Sequence, residues 1–161
     1  MEMPVFTIRG KNHRERGVDY GVQCKELIQG VLERYIRFFN GGHTAVSWDE
    51  AKVISKEFLP FIHSYSPELL DELEGIAQGA DVEFDDLLTL NSRSEAMTLV
   101  RRPPSDKEEL DGCSSVAVLP DASANGHTIL AQNWDTYTWQ EYGTVILQIL
   151  RDDGPDLMIV T

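Results

Sequence analysis

The spacing of apolar residues changes once along this chain. It runs at three and four residues as far as Met97 and becomes short β-branched runs from Cys113 onward, which points to helices layered on an antiparallel sheet, an α+β fold. From about Val18 to Phe39 the residues Val22, Leu27, Ile28, Val31, Leu32, Tyr35, Ile36 and Phe39 form one stripe, and Asn40-Gly41-Gly42 ends it, so one long amphipathic helix is predicted. Before it, Pro4 to Arg9 reads as a short strand closed by Gly10. Ser47-Trp-Asp-Glu50 has capping-box spacing and opens a second helix that Pro60 should kink or end. Ser66-Pro67-Glu68 starts a third, which Gly79 should terminate, and a fourth runs from Phe84 to about Met97.

Arg101 to Leu110 has two prolines and no apolar period, so it reads as a solvated loop, accessible to processing, directly upstream of Gly112-Cys113. Four strand-like runs follow: Cys113 to Leu119, His127 to Asp135, Gly143 to Arg151 and Asp156 to Val160. Asp121 to Gly126 and Asp152-Asp-Gly-Pro155 punctuate them, and together they read as consecutive antiparallel strands. Leu157-Met-Ile-Val160 would leave an apolar edge without a following neighbour, so the sequence reads as part of a longer protein.

With 161 residues the chain is long enough for one core and short for two, and a single domain is expected. The formal charge of −13 argues against nucleic acid or an anionic membrane as partner, since either favours a basic face. No apolar run reaches the roughly 20 residues of a membrane span, and no basic region followed by an apolar core opens the chain. An intracellular setting is the default expectation. Cys24 and Cys113 give no disulfide framework. His13, His43, His63 and His127 lie far apart without ligand spacing, so neither a metal nor a redox cofactor is implied.

The chemistry concentrates in Asp111-Gly112-Cys113-Ser114-Ser115 and in Gln132-Asn133-Trp134-Asp135, where a strand ends on a carboxylate. A thiol is a weak nucleophile until it loses its proton, and an internal cysteine has no base of its own. Cutting the Gly112–Cys113 bond would supply one: the freed α-amine, with a pKa near ~8, would sit within reach of its own sulfur. Glycine suits the residue before the cut because it accepts dihedrals that a β-branched residue resists. The cut would proceed by attack of the thiol on the Gly112 carbonyl, a shift to a thioester, and hydrolysis.

In these residues, and in Arg16-Gly-Val-Asp-Tyr-Gly-Val-Gln23, Glu74-Gly-Ile-Ala-Gln-Gly-Ala80 and Leu90-Asn-Ser-Arg-Ser-Glu95, the chain resembles the acyl-coenzyme A:6-aminopenicillanic acid acyltransferase (isopenicillin N acyltransferase) family. These are peptidase C45-like N-terminal nucleophile hydrolases, with acid ceramidase-like and penicillin V acylase-like relatives. The resemblance implies an αββα sandwich, incomplete here, with residues 1–112 as an α-subunit-like segment and 113–161 as the start of a β-subunit-like one, the two staying associated after autocatalytic cleavage of a zymogen. By the same resemblance Cys113 is the nucleophile, Gly112–Cys113 the scissile bond, and Asp135 the carboxylate beside the new amine. Ser115 stands where the acyltransferases carry threonine. Asn133 and Gln132 fall in the matching motif as supporting residues, and Arg93 as a structural ion-pair partner. The partners implied are a small-molecule acyl donor, with coenzyme A thioesters as possible substrates, and an amine acceptor. A peroxisomal setting follows if the source is fungal, a cytoplasmic one otherwise. Family members continue past a threonine like Thr161 into a Glu-Ala-Gly motif, more sheet, an arginine and the oxyanion donors, so the resemblance implies an incomplete substrate pocket and impaired turnover for this chain as given.

Simpler readings exist for each residue. A lone cysteine opening a strand is commonly a small buried hydrophobe, and Asp135 suits a turn. Ser114 and Ser115 would then only begin a strand. Cys24 lies on the apolar stripe of the first helix and reads as core. Gly75 and Gly79 are explained by close packing and a helix end. Trp48, Trp134 and Trp139 read as packing groups, with Trp134 also placed to wall an acyl pocket. At the level of function the alternatives are a plain N-acyl amide hydrolase and an unprocessed, non-catalytic module.

Overall fold

The computed structural model describes residues 3–99 and 113–161. Gly112 and the loop predicted over 101–110 lie outside the described residues. Within them the protein is mixed helix and strand, and it divides into two compact units, one of residues 3–99 with 142–161, the other of residues 113–141.

The first unit opens with β1 (Val5–Ile8), followed by α1 (His13–Gln23) and α2 (Lys25–Phe38). Asn12 caps α1 by accepting from the Glu15 amide at 2.8 Å, and the Glu15 carboxylate reaches back to the Lys11 amide at 2.9 Å, so the helix starts earlier than the apolar stripe suggested. The single helix expected over 18–39 is two helices that meet at Cys24, where φ is −108° and ψ is 15°. The reason lies in the packing. Gly17 and Gly21 of α1 press against Gly75 and Gly79 of α5 (Glu68–Ala80), and a Cβ on any of the four would fall inside contact distance of backbone on the facing helix. α1 is thereby fixed flat on α5, while α2 must turn Ile28, Leu32 and Tyr35 inward. The bend at Cys24 allows both.

Ser47 forms the expected capping box with Glu50 and starts α3 (Trp48–Lys56); Pro60 then sits in the first turn of α4 (Leu59–Tyr65), where its missing N–H costs nothing. Gly79 does not end α5. It is consumed by the contact with α1, and the left-handed residue falls on Asp81 (φ 58°, ψ 51°), after which the Val82 amide closes on the Ala77 carbonyl at 3.1 Å. The helix predicted over 84–97 breaks into α6 (Phe84–Asn91) and α7 (Arg93–Leu99). Ser92 at the joint donates to the Leu88 carbonyl at 2.8 Å, a competing bond that bends helices.

The strand-like runs are strands, yet they do not form one meander. β2 (Ser114–Val118) and β3 (Ile129–Asn133) make an antiparallel hairpin in the second unit. β4 (Ile146–Ile149) lies between β1 and β5 (Leu157–Val160), parallel to the first and antiparallel to the second. Hydrophobic burial selects the central place for β4: Val145, Leu147 and Ile149 are buried and join Ile8, Cys24, Ile28, Ala77, Ala80 and Leu87 in one core, whereas β5 is exposed along its length. Arg16, 2% exposed, ties α1 to the β4–β5 turn by donating to both carboxylate oxygens of Asp153, at 3.3 and 3.1 Å. No described helix is long and apolar enough to cross a membrane.

Candidate active site

Cys113 immediately precedes β2 and carries an exposed, free thiol. Its neighbour across the hairpin follows from register. Ser114 pairs with Asn133 and Ser115 with Gln132, so the continuation of β3 returns Trp134 and Asp135 to the level of Cys113. The Cys113 Sγ donates to the main-chain oxygen of Asp135 at 3.8 Å, a long sulfur contact that brings the two ends of the hairpin together. The Asp135 carboxylate accepts from Asn133 Nδ2 at 2.9 Å. Thus Cys113, Asp135 and Asn133, spread over 23 residues of sequence, form one exposed cluster.

The pleat divides the other candidates. Residues directly opposite in an antiparallel pair share a face, and successive residues alternate between faces. Ser115 and Gln132 therefore share one face, and Ser114 and Asn133 the other. Ser114, a simple strand opener by sequence, is the serine across from the residue that holds Asp135. Alternation within Ser114-Ser115 and Gln132-Asn133 carried this signal once the register was known. Trp134 is 44% exposed beside Asp135, and Tyr137 stacks on Trp139 with ring centroids 5.9 Å apart.

Arg93 belongs to the first unit. Its Nε donates to the Tyr35 hydroxyl and its Nη1 to the Leu90 carbonyl, each at 2.7 Å, with the guanidinium over the Tyr35 ring. Cys24 is 2% exposed; burial raises its pKa to about 11, with the charge of Asp19 adding to the effect. Trp48 is buried and donates to Asp86 at 2.8 Å. Among the described residues no group of three or more His, Cys, Asp or Glu could hold a metal ion.

Over 148 residues, 89% of its length, the chain is 28% identical to the acyl-coenzyme A:6-aminopenicillanic-acid-acyltransferase 40 kDa form of Emericella nidulans. Over 158 residues, 93% of its length, it is 28% identical to the beta-alanyl-dopamine/carcinine hydrolase of Drosophila melanogaster. Over most of its length the chain is thus similar to an acyltransferase and to a hydrolase. It spans 38% of the length of each of these two proteins. No protein-family model matches it. The likeness to the acyltransferase takes in both units, since it covers most of the helical body as well as the hairpin.

Proposed function

We propose that this chain carries the self-processing site of an N-terminal cysteine acyltransferase or amidohydrolase with the αββα fold of N-terminal nucleophile hydrolases. The observation that carries the reading is the exposed thiol of Cys113 held at the open end of a hairpin beside Asp135, in a chain whose relatives are an acyltransferase and a hydrolase.

In the first stage the Cys113 sulfur attacks the Gly112 carbonyl carbon, the C–N bond breaks, and Gly112 becomes a thioester on Sγ. Water then splits that ester, releasing a Gly112 carboxylate and leaving Cys113 with both a free thiol and a free α-amine. In the second stage the amine takes the thiol proton and the sulfur attacks the carbonyl of an acyl donor, an amide or a coenzyme A thioester. The leaving amine or thiol departs with that proton. An acceptor amine or water attacks the resulting thioester, and the sulfur recovers a proton as the acyl group leaves. Asp135 supports the ammonium form of the new N-terminus, and Ser115 supplies a hydroxyl to relay protons. Transfer and hydrolysis differ only in whether the acceptor amine outcompetes water.

Denaturing intact-mass spectrometry of the full chain beside its Cys113→Ala variant tests the proposal. Fragments ending at Gly112 and beginning at Cys113 are expected in the parent and absent from the variant. A parent that stays whole, or a variant that still splits, overturns the nucleophile assignment. Acyl donors offered with and without an amine acceptor then separate transferase from hydrolase.

A further inference from the structure

We propose that Asn133 is a positioning residue that fixes the Asp135 carboxylate and acts on the chemistry at Cys113 only through it. The inference rests on the reading of Asp135 as the partner of Cys113. Asn133 is the last residue of β3, and its backbone is fixed by pairing with Ser114. From that anchored point its amide nitrogen donates to one carboxylate oxygen of Asp135 at 2.9 Å. Asp135 lies beyond the ladder and is exposed, so unaided its side chain would exchange rotamers in water. A hydrogen bond to a charged acceptor is among the stronger ones available to a surface pair. It uses one carboxylate oxygen and leaves the second for another donor, the position that the α-amine of Cys113 would take after cleavage.

The same residue also carries the contact to sulfur. The Asp135 main-chain oxygen accepts from Cys113 Sγ at 3.8 Å, so whatever steadies Asp135 also steadies the approach of the thiol. The amide of Asn133 holds the side chain of Asp135 and the main chain of the same residue meets the thiol, so Asn133 links regular structure to the residue that touches the reacting group. The tandem placement of Asn and Asp two residues apart at a strand end produces this link, because that spacing puts the two side chains within hydrogen-bond reach.

A double-mutant cycle on the full chain tests this, using the parent, Asn133→Leu, Asp135→Ala and the double variant. Asn133→Asp serves as a second probe, being isosteric and placing a like charge against Asp135. Asn133 is exposed, so neither substitution empties a core. Two rates are read: splitting at Gly112–Cys113 by intact mass, and alkylation of native Cys113 by iodoacetamide, which buried Cys24 does not obscure. Both Asn133 variants should slow splitting and speed alkylation by roughly threefold to tenfold, the size of coupling usual between contacting residues. In the Asp135→Ala background Asn133→Leu should change neither rate further, and the melting temperature should stay put throughout. Equal changes in both backgrounds, or no change in the parent, overturn the proposal. If the parent never splits, the loss falls on the proposed function, and the alkylation cycle alone decides the role of Asn133.

Discussion

The motif residues of this chain sit in two opposite environments. In the helical unit Gly17, Gly21, Gly75 and Gly79 interlock backbone against backbone, and Arg16 is buried on Asp153. In the hairpin every strand residue except Val118 is exposed, and Cys113, Asn133 and Asp135 meet through side-chain and main-chain contacts open to water. Both sets look alike as short motifs in sequence. Physically, one set leaves no room for a side chain and the other presents reactive groups, so substitution should separate them: stability lost in the first, chemistry in the second.

The largest effect should come from Cys113→Ala, with self-cleavage and acyl transfer both abolished and thermal stability moved by less than about 0.5 kcal/mol, as is usual for exposed sites. Loss of stability together with activity would erase the contrast by making Cys113 a packing residue. Next comes Gly75→Val. Its Cβ would meet the backbone of Arg14 and Val18, which cannot swing aside as a side chain can, so α1 and α5 must part. A loss of about 3 kcal/mol or more is expected in chemical denaturation. Wild-type stability in that variant would show that the helix pair is looser than its geometry implies.

The helical unit was legible to the extent that its local signals acted alone. Ser47 and Glu50 capped α3 as the spacing predicts, and Pro60 fell in a first turn. Where a residue served a tertiary contact the local rule failed. Gly79 looked like a helix stop but was taken up by packing, and the helix ended on Asp81 instead; Ser92 divided a helix by bonding back to Leu88. The place of β4 between β1 and β5 depends on a pairing between residues some 140 positions apart, which no local pattern encodes. In the candidate site Cys113 and Asp135 were legible as residue types. The Cys113–Asp135 contact and the pairing of Ser114 with Asn133 and of Ser115 with Gln132 were not, because both depend on register.

Asp135→Asn sharpens the chemical side of the comparison. It keeps the shape of an exposed residue and removes its charge, so the fold should be unaffected while turnover falls about a hundredfold, as for loss of a positioned acid–base partner. Steady-state kinetics beside a melting curve would show this. Unchanged kinetics would return Asp135 to a turn role and leave the hairpin with a thiol lacking its carboxylate partner.

The smallest effect falls on the buried cysteine, Cys24. Burial raises the Cys24 thiol from 9.0 to about 11, and Tyr20, partly buried against the core beside Cys24, from 10.0 to about 12, so both groups resist ionisation in the folded chain. In the unfolded chain they ionise near their ordinary values. Their contribution to stability is therefore complete below pH 9 and is lost as pH rises through about 11 and 12. Cys24→Ala removes the earlier part of that decline and also relieves Tyr20 of a neighbouring negative charge, so the fall in stability between pH 9 and 11 should become shallower. The parent chain is the reference for this variant. Denaturant midpoints across this pH range would tell the two apart. If Cys24→Ala ran parallel to the parent, the thiol at the α1–α2 bend would be reached by water, and the division between a sealed helical body and an open hairpin would fail at its most buried cysteine.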